Sequence, residues 1–236
     1  MAFDLVEAPP EGVWRVGREP DLLSPSVSTK SSEPGKPNTG NRFDSPTGAY
    51  GVRYFATHLD GCYGETLARF RADKKLAKVI GSEWSELGFM NVGDIPADWR
   101  QRRGAVRVCF PADGANAVSA DGVRFLDIES VHTREALLPA IEPLLKFYGH
   151  ADLDVAVVRG HDRRITRYIS QWAYEQVDDD ERPLYAGIRY LSRLNSEWEC
   201  WAVFDHVAIK ELTRRPILAN DAALKGIAEL YGLTVY

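Results

Sequence analysis

A guanidinium, a phenol and a carboxylate follow one another at similar spacing and could form one polar site. Arg42 lies in a turn-rich passage, Tyr54 follows 12 positions later near the end of a predicted strand, and Glu65 another 11 positions on in a predicted helix. Apolar and small residues flank Glu65, and burying a carboxylate there costs free energy unless it is paired. Alternatively, Glu65 faces solvent or stabilises the helix N-terminus through the macrodipole. Periodicity alone leaves both interpretations open.

Several common chemistries lack their motifs in this sequence. The five histidines show neither HExxH nor HxH spacing, which argues against a zinc enzyme. A Gly-x-Ser-x-Gly elbow, a GxGxxG fingerprint after a strand and a GxxxxGK[ST] loop are all missing, so these patterns support no serine hydrolase of that type, no Rossmann dinucleotide site and no P-loop. Cys62 lies on the apolar side of a predicted helix, which indicates a buried structural thiol rather than a nucleophile.

Apolar periodicity predicts the elements that position these side chains. Strands are predicted over 12–17, 51–56, 105–110, 123–128, 185–192 and 199–204. Helices are predicted over 59–71, 133–148, 163–176 and 219–231. Asp60 and Thr133 are the expected N-caps of the first two helices, and Asn220 or Asp221 lies near the start of the last. The apolar segment 153–159 is either a strand or the lead-in to the next helix.

Strands in clusters with helices between them predict an α+β fold with a largely antiparallel sheet. We expect a single domain over 12–236, preceded by an N-terminal extension over 1–11. The Ser/Pro-rich segment 19–40 is too polar to bury much surface, so it is either a lid or a disordered loop within the domain. A partly helical insertion is expected over 73–103.

The charge balance and the cysteines limit the classes of partner. With 29 basic and 34 acidic residues, the net charge of −5 argues against direct nucleic-acid binding but leaves room for a small basic pocket. Neither a stretch of about 18 apolar residues nor a signal-peptide pattern is present, so we expect no membrane association and a cytoplasmic location. Cys62, Cys109 and Cys200 are too scattered for a disulfide framework or a structural zinc site.

Several short motifs, taken in order, resemble the RES domain family. Trp14-Arg15 matches the family's N-terminal strand motif, and the run from Arg42 to Pro46 (Arg-Phe-Asp-Ser-Pro) matches its turn. Tyr54-Phe55-Ala56 matches the strand that follows, and Glu65 in Gly-Glu-Thr-Leu matches the glutamate of the next helix. Ser192, at the end of a late strand, matches the family serine. The resemblance covers most of the chain.

The resemblance implies an ADP-ribosyltransferase-like fold and NAD+ as a substrate, with no further cofactor and no metal. Cleavage of the nicotinamide–ribose bond develops an oxocarbenium-like charge, and Glu65 is the implied catalytic carboxylate that stabilises it. Arg15 and Arg42 would bind the pyrophosphate through their planar forks, with Arg42 also catalytic. Tyr54 would stack on the nicotinamide or bond a ribose. Ser192, also implied as catalytic, would donate to a phosphate or ribose oxygen.

The resemblance further implies a toxin of a toxin–antitoxin pair, neutralised by an Xre-type antitoxin, so that any link to DNA is indirect. Three functions follow as hypotheses. The first is NAD+ cleavage by hydrolysis or phosphorolysis, and the second is mono-ADP-ribosylation of one specific protein. The third is a non-catalytic nucleotide-binding or interaction module. The sequence leaves the acceptor, the partner's identity and the oligomeric state open.

Overall fold

An eight-stranded sheet forms the centre of the computed structural model, which describes residues 3–26, 40–71, 95–111 and 122–236. The strands are β1 (Leu5–Val6), β2 (Val13–Arg18), β3 (Val52–Ala56), β4 (Arg103–Cys109), β5 (Phe125–Asp127), β6 (Gly187–Leu191), β7 (Glu199–Phe204) and β8 (Lys210–Pro216). They lie in the order β1-β5-β6-β7-β3-β2-β4-β8. Among these pairings β5–β6 is parallel and the others are antiparallel. The predicted α+β fold with a largely antiparallel sheet is confirmed.

Helices pack against this sheet. They are α1 (Leu59–Leu67), which continues into a 3₁₀ turn (Ala68–Phe70), α2 (Val131–Phe147), α3 (Val155–Arg159), α4 (Arg164–Tyr174) and α5 (Ala222–Tyr231). The strand interpretation of 153–159 is therefore wrong, and Val155–Arg159 is a short helix of its own rather than only the lead-in to α4. Asp221 caps α5, as expected, by accepting from the N–H groups of Ala223 and Leu224. Within the four described ranges, no helix combines the length and the apolar character that a membrane crossing needs.

Two predicted helix caps are wrong. The N-cap of α1 is His58, and Asp60 lies inside the first turn. The N-cap of α2 is Ser130, and Thr133 lies inside the helix, where its Oγ1 accepts from the backbone N–H of Asp4 at 3.0 Å. Asp60 and Thr133 have side chains of the kind that cap helices. The helices nevertheless begin where the backbone leaves the extended region, at His58 and Ser130.

The strands at both edges of the sheet were not predicted from the sequence. β8 has the polar sequence Lys-Glu-Leu-Thr-Arg-Arg-Pro, is exposed along most of its length and pairs with β4. A solvated edge strand has no buried face to impose alternation, and charges protect it from pairing with other chains. β1 is only two residues long, and its Leu5 and Val6 lie opposite Leu126 and Phe125. Part of the predicted extension 1–11 is therefore a strand of the sheet.

Alternate residues of β3 enter two different apolar clusters, as expected when successive side chains point to opposite faces. Tyr54 and Ala56 contact the larger cluster, which includes residues of α1, α2, α4 and α5. Phe55 belongs to the smaller cluster with Trp201 and other residues of the opposite face. Most of the predicted loop 19–40 and of the predicted insertion 73–103 lies outside the described residues.

Gly64 allows α1 to lie directly against Trp198. A Cβ added at Gly64 would lie 2.1 Å from Cζ3 of the Trp198 ring, so the ring or the helix would have to move. We therefore expect Gly64→Ala to lower the free energy of unfolding in urea by about 1–3 kcal/mol, the usual cost of overpacking a core.

Gly226 in α5 provides the matched control, because a Cβ there meets nothing within 4 Å. We expect Gly226→Ala to raise the free energy of unfolding by about 0.5–1 kcal/mol through helix propensity alone. Equal effects of the two substitutions would show that Trp198 does not constrain α1.

Candidate functional site

An open cavity of about 520 Å³ lies where α1 meets β2 and β3. Four of the predicted site residues, Arg15, Arg42, Tyr54 and Glu65, line it. The fifth, Ser192, follows β6 and reaches the cavity through a hydrogen bond to Glu65. The structure therefore brings all five predicted residues to one place, although they come from five separate segments of the chain.

Glu65 presents its carboxylate to the cavity and is held there by Ser192. It lies in α1 and is solvent-exposed, whereas Ser192 is 1% exposed. The Ser192 hydroxyl donates to Glu65 Oε1 at 2.5 Å and accepts from the backbone N–H of Leu194 at 3.0 Å. A hydroxyl has one proton to donate, and here that proton goes to the carboxylate. Ser192 thus fixes the position of Glu65 and leaves the second carboxylate oxygen open to a ligand.

Arg42 lies at the cavity wall with its guanidinium turned toward the end of α3. Its Nη1 donates to the carbonyl of Val158 and, at 3.2 Å, to that of Gly160, while Nη2 donates to the carbonyl of Arg159 at 3.4 Å. These carbonyls belong to the last turn of the helix, where backbone acceptors are left without intrahelical partners. Desolvation lowers the pKa of Arg42, and the nearby Tyr190 and Glu65 oppose that shift. Arg42 therefore holds α3 against the cavity.

Arg15 makes a similar set of backbone contacts on the other side. It donates through Nε to the carbonyl of Leu22 at 2.8 Å, through Nη2 to that of Ser24 at 2.8 Å and through Nη1 to that of Tyr54 at 3.1 Å. Desolvation lowers its pKa, which indicates a guanidinium largely withdrawn from water. Each of its three nitrogens is engaged. Arg15 therefore connects two parts of the cavity wall: the segment that follows β2, and the strand β3.

Tyr54 lines the cavity, and its hydroxyl bonds to a buried aspartate. The hydroxyl donates to Asp44 Oδ1 at 2.8 Å and accepts from the backbone N–H of Phe43 at 3.1 Å. Burial raises the pKa of Tyr54 well above its usual value, and the charge of Asp44 adds to the effect. Asp44, which is 1% exposed, also accepts from the backbone N–H of Asn41 at 2.7 Å and from Ser26 Oγ at 3.3 Å.

Sequence analysis did not identify Asp44 as a site residue, nor the side chains of α4 that hold its segment. Thr166 donates to the carbonyl of Arg42 and Ser170 to that of Phe43, each at 2.7 Å. Arg167, which is 5% exposed, donates to the carbonyls of the next two residues at 3.2 and 2.7 Å. Ser170 follows Thr166 by four residues and Arg167 by three, so it neighbours both on the surface of α4. Polar residues at that spacing on an otherwise apolar face were the available signal.

Cys62 also lines the cavity, but its thiol has a structural role. It is buried, as expected, and its Sγ donates to the backbone carbonyl of Trp14 at 3.0 Å. Burial raises the pKa of the thiol to about 12, so the nucleophilic thiolate is disfavoured. Cys109 and Cys200 are free thiols as well.

The cavity is strongly basic, in contrast to the chain as a whole. The lining residues that the structure describes include one acidic residue, Glu65, and seven arginines: Arg15, Arg18, Arg42, Arg69, Arg103, Arg163 and Arg193. The net charge of the whole chain is −5. A wall of guanidinium groups favours a ligand with several negative charges. The lone carboxylate favours positive charge at one point of that ligand.

Comparisons with known proteins show where this fold occurs. No family model matches the chain, and no curated protein matches it significantly in sequence. A structural match covers 97% of this chain and 92% of a chain in the crystal structure of the M. tuberculosis MbcT–MbcA toxin–antitoxin complex, with a TM-score of 0.50 and 11% sequence identity. The chain therefore shares its fold with a component of that toxin–antitoxin complex.

Proposed function

We propose that this chain cleaves the nicotinamide–ribose bond of NAD+. The observation that carries the proposal is a basic cavity in which Glu65 is the one carboxylate among the described lining residues, held in place by a buried serine hydroxyl. NAD+ combines an anionic pyrophosphate with a cationic nicotinamide ring, which matches that arrangement of charges. The order of motifs that resembles the RES domain family supports the same substrate.

In this reaction the protein positions the substrate and stabilises the charge that develops on the ribose. The bond between the ribose C1′ and the pyridinium nitrogen breaks, and its electron pair leaves with neutral nicotinamide. C1′ then has oxocarbenium-like positive charge, which the Glu65 carboxylate stabilises from the cavity wall. Because the Ser192 hydroxyl already holds one carboxylate oxygen, the carboxylate needs no reorganisation as the charge develops. An acceptor oxygen, from water or inorganic phosphate, then forms the new bond to C1′. A water acceptor releases one proton to solvent as it adds, so the positive charge of the ribose is lost.

In this proposal Arg15, Arg42 and Tyr54 build the cavity as well as line it. Arg15 and Arg42 hold two backbone segments by their carbonyls. The Tyr54 hydroxyl is engaged by Asp44, so its ring is the part that a ligand would contact. An aromatic face at this point suits stacking on the nicotinamide.

We also propose that the chain is the toxin of a toxin–antitoxin pair, acting in the cytoplasm and neutralised by a protein partner of the Xre type. The RES resemblance and the fold shared with a component of the MbcT–MbcA complex support this proposal. Induced expression in a bacterial host should arrest growth and lower cellular NAD+, and Glu65→Gln should relieve both effects. Growth arrest with unchanged cellular NAD+ would contradict depletion of NAD+ as the cause of the arrest.

A second candidate is mono-ADP-ribosylation of a specific protein. Glu65 is exposed at an open cavity, so an acceptor larger than water can approach the reacting carbon. Incubation with labelled NAD+ and host lysate separates the two candidates. Label transferred to one protein, with little free ADP-ribose, supports protein modification. Free ribosyl product without labelled protein supports hydrolysis or phosphorolysis, and unchanged NAD+ supports a non-catalytic binding module.

A further inference from the structure

We infer that Arg18, Arg69 and Arg103, three arginines outside the motifs identified in the sequence, bind the pyrophosphate of the dinucleotide. We refer to them as the arginine triad. The inference rests on the proposed function for the identity of the ligand, and it assigns the phosphate contacts within that function. All three residues line the cavity that contains Glu65.

The guanidinium groups of the triad are available to a ligand. Arg18 and Arg69 are solvent-exposed, and Arg103 is half-buried. Arg69 lies over the Phe70 ring at 4.6 Å and Arg103 over the Trp99 ring at 5.4 Å, and within the part of the chain that the structure describes no hydrogen bond engages the side-chain N–H groups of either arginine. Among the described ranges of the chain, no carboxylate forms an ion pair with any member of the triad.

Arg18, Arg69 and Arg103 bring like charges close together at the cavity. Burial, together with the charges of Arg69 and Arg18, lowers the pKa of Arg103 to about 10. Burial and the charge of Arg18 also lower the pKa of Arg69. Three guanidinium groups held together in this way repel one another, and an anion bound between them would remove that repulsion. The cluster is thus arranged for an anionic ligand rather than for an internal ion pair.

The motif arginines are poorly placed for the same task. Each nitrogen of Arg15 already donates to a backbone carbonyl, and so do both terminal nitrogens of Arg42. A phosphate that bound either group would have to displace these contacts and leave carbonyls unpaired, which costs free energy. Binding to the triad does not require these hydrogen bonds to backbone carbonyls to be broken.

The position of the triad relative to Glu65 suits a dinucleotide. Arg69 follows Glu65 by four residues, just past the end of α1 in the 3₁₀ turn, and both residues line the same cavity. A ribose separates the reacting C1′ of NAD+ from its 5′-phosphate, so a carboxylate and a guanidinium in one cavity can contact the two ends of that sugar. Pyrophosphate oxygens also match the bidentate forks of arginine.

Calorimetric binding of ADP-ribose tests the inference without requiring turnover. The double variant Arg18→Ala/Arg69→Ala changes two exposed residues, so we expect it to fold. Its affinity for ADP-ribose should fall about 100-fold, roughly tenfold for each charge-assisted contact removed. Adenosine, which lacks the phosphates, should bind both proteins equally.

The matched control is Arg102→Ala/Arg182→Ala, which removes the same charge from residues outside the cavity that pair with surface aspartates. This control should bind ADP-ribose like the wild type. The inference is overturned if the triad variant binds ADP-ribose within about threefold of the wild type, or loses adenosine binding equally. The inference is also overturned if the triad variant loses binding of inorganic phosphate but keeps the wild-type affinity for ADP-ribose.

The outcomes for the inference and for the proposed function are distinguishable. If the wild type binds ADP-ribose through the triad but releases no nicotinamide from NAD+, the proposed cleavage is wrong and the phosphate site stands. If the wild type releases nicotinamide and the triad variant binds ADP-ribose normally, the cleavage stands and the phosphate site is wrong.

Discussion

Glu65→Gln should lower the rate of nicotinamide release from NAD+ by about 100- to 1000-fold, the range expected when one preorganised charge-stabilising group is removed. Glutamine keeps the size of the side chain and can still accept from Ser192 Oγ, so the cavity should keep its shape. Only the negative charge opposite the developing oxocarbenium is lost. The effect should therefore appear in kcat, with KM for NAD+ changed little. Steady-state nicotinamide release, followed by chromatography, measures both parameters.

Glu142→Gln is the matched control for this substitution. Glu142 lies on α2, is 58% exposed at its side chain and pairs with Lys146. The same chemical change there should leave nicotinamide release within about twofold of the wild type, as surface substitutions away from such features usually have small effects. If Glu65→Gln and Glu142→Gln release nicotinamide at equal rates, Glu65 is not the catalytic carboxylate.

Asp44→Ala should lower the free energy of unfolding by about 3–5 kcal/mol, as expected when a buried hydrogen-bonded charge is removed from its partners. Asp44 is 1% exposed and accepts from the Tyr54 hydroxyl, the Asn41 backbone N–H and Ser26 Oγ. Truncation leaves these donors without their acceptor in a site that admits little water. Urea denaturation of the variant measures the loss.

Asp98→Ala serves as the control for the stability of Asp44→Ala. Asp98 is 60% exposed at its side chain and pairs with Arg102 on the surface. Its truncation should change the free energy of unfolding by less than about 1 kcal/mol, because exposed ion pairs contribute little. Equal losses for the two aspartates would mean that Asp44 does not hold the segment between Asn41 and Tyr54.

The strands and the helix that contain the site were predictable because apolar and polar residues alternate or recur at a regular period in their sequences. The strands that became β2, β3 and β7 and the helix that became α1 all have buried faces, so apolar residues recur at a regular period. That pattern located Tyr54 and Glu65 on neighbouring elements. The order of motifs placed Ser192 with them, and the structure brings its hydroxyl to the Glu65 carboxylate.

The remainder depends on long-range contacts that a local pattern does not record. Asp44 and Arg167 are 123 residues apart. From its neighbours in sequence alone, Asp44 is an ordinary turn residue and Arg167 an ordinary helix residue. The charged edge strand β8 has no buried face, so it has no period to detect. The arginine triad was not predicted, because the net charge of −5 for the whole chain does not show which basic residues lie close together in the fold.

The most direct test of the account is the fate of NAD+ incubated with the purified chain, with and without inorganic phosphate. Chromatography and mass spectrometry would follow NAD+, nicotinamide and the ribosyl product, with Glu65→Gln in parallel. The account predicts nicotinamide and a ribosyl product in equal amounts from the wild type, and almost none from the variant. NAD+ that persists intact at an equimolar concentration of the wild type, with phosphate and with host lysate as acceptor, would contradict it.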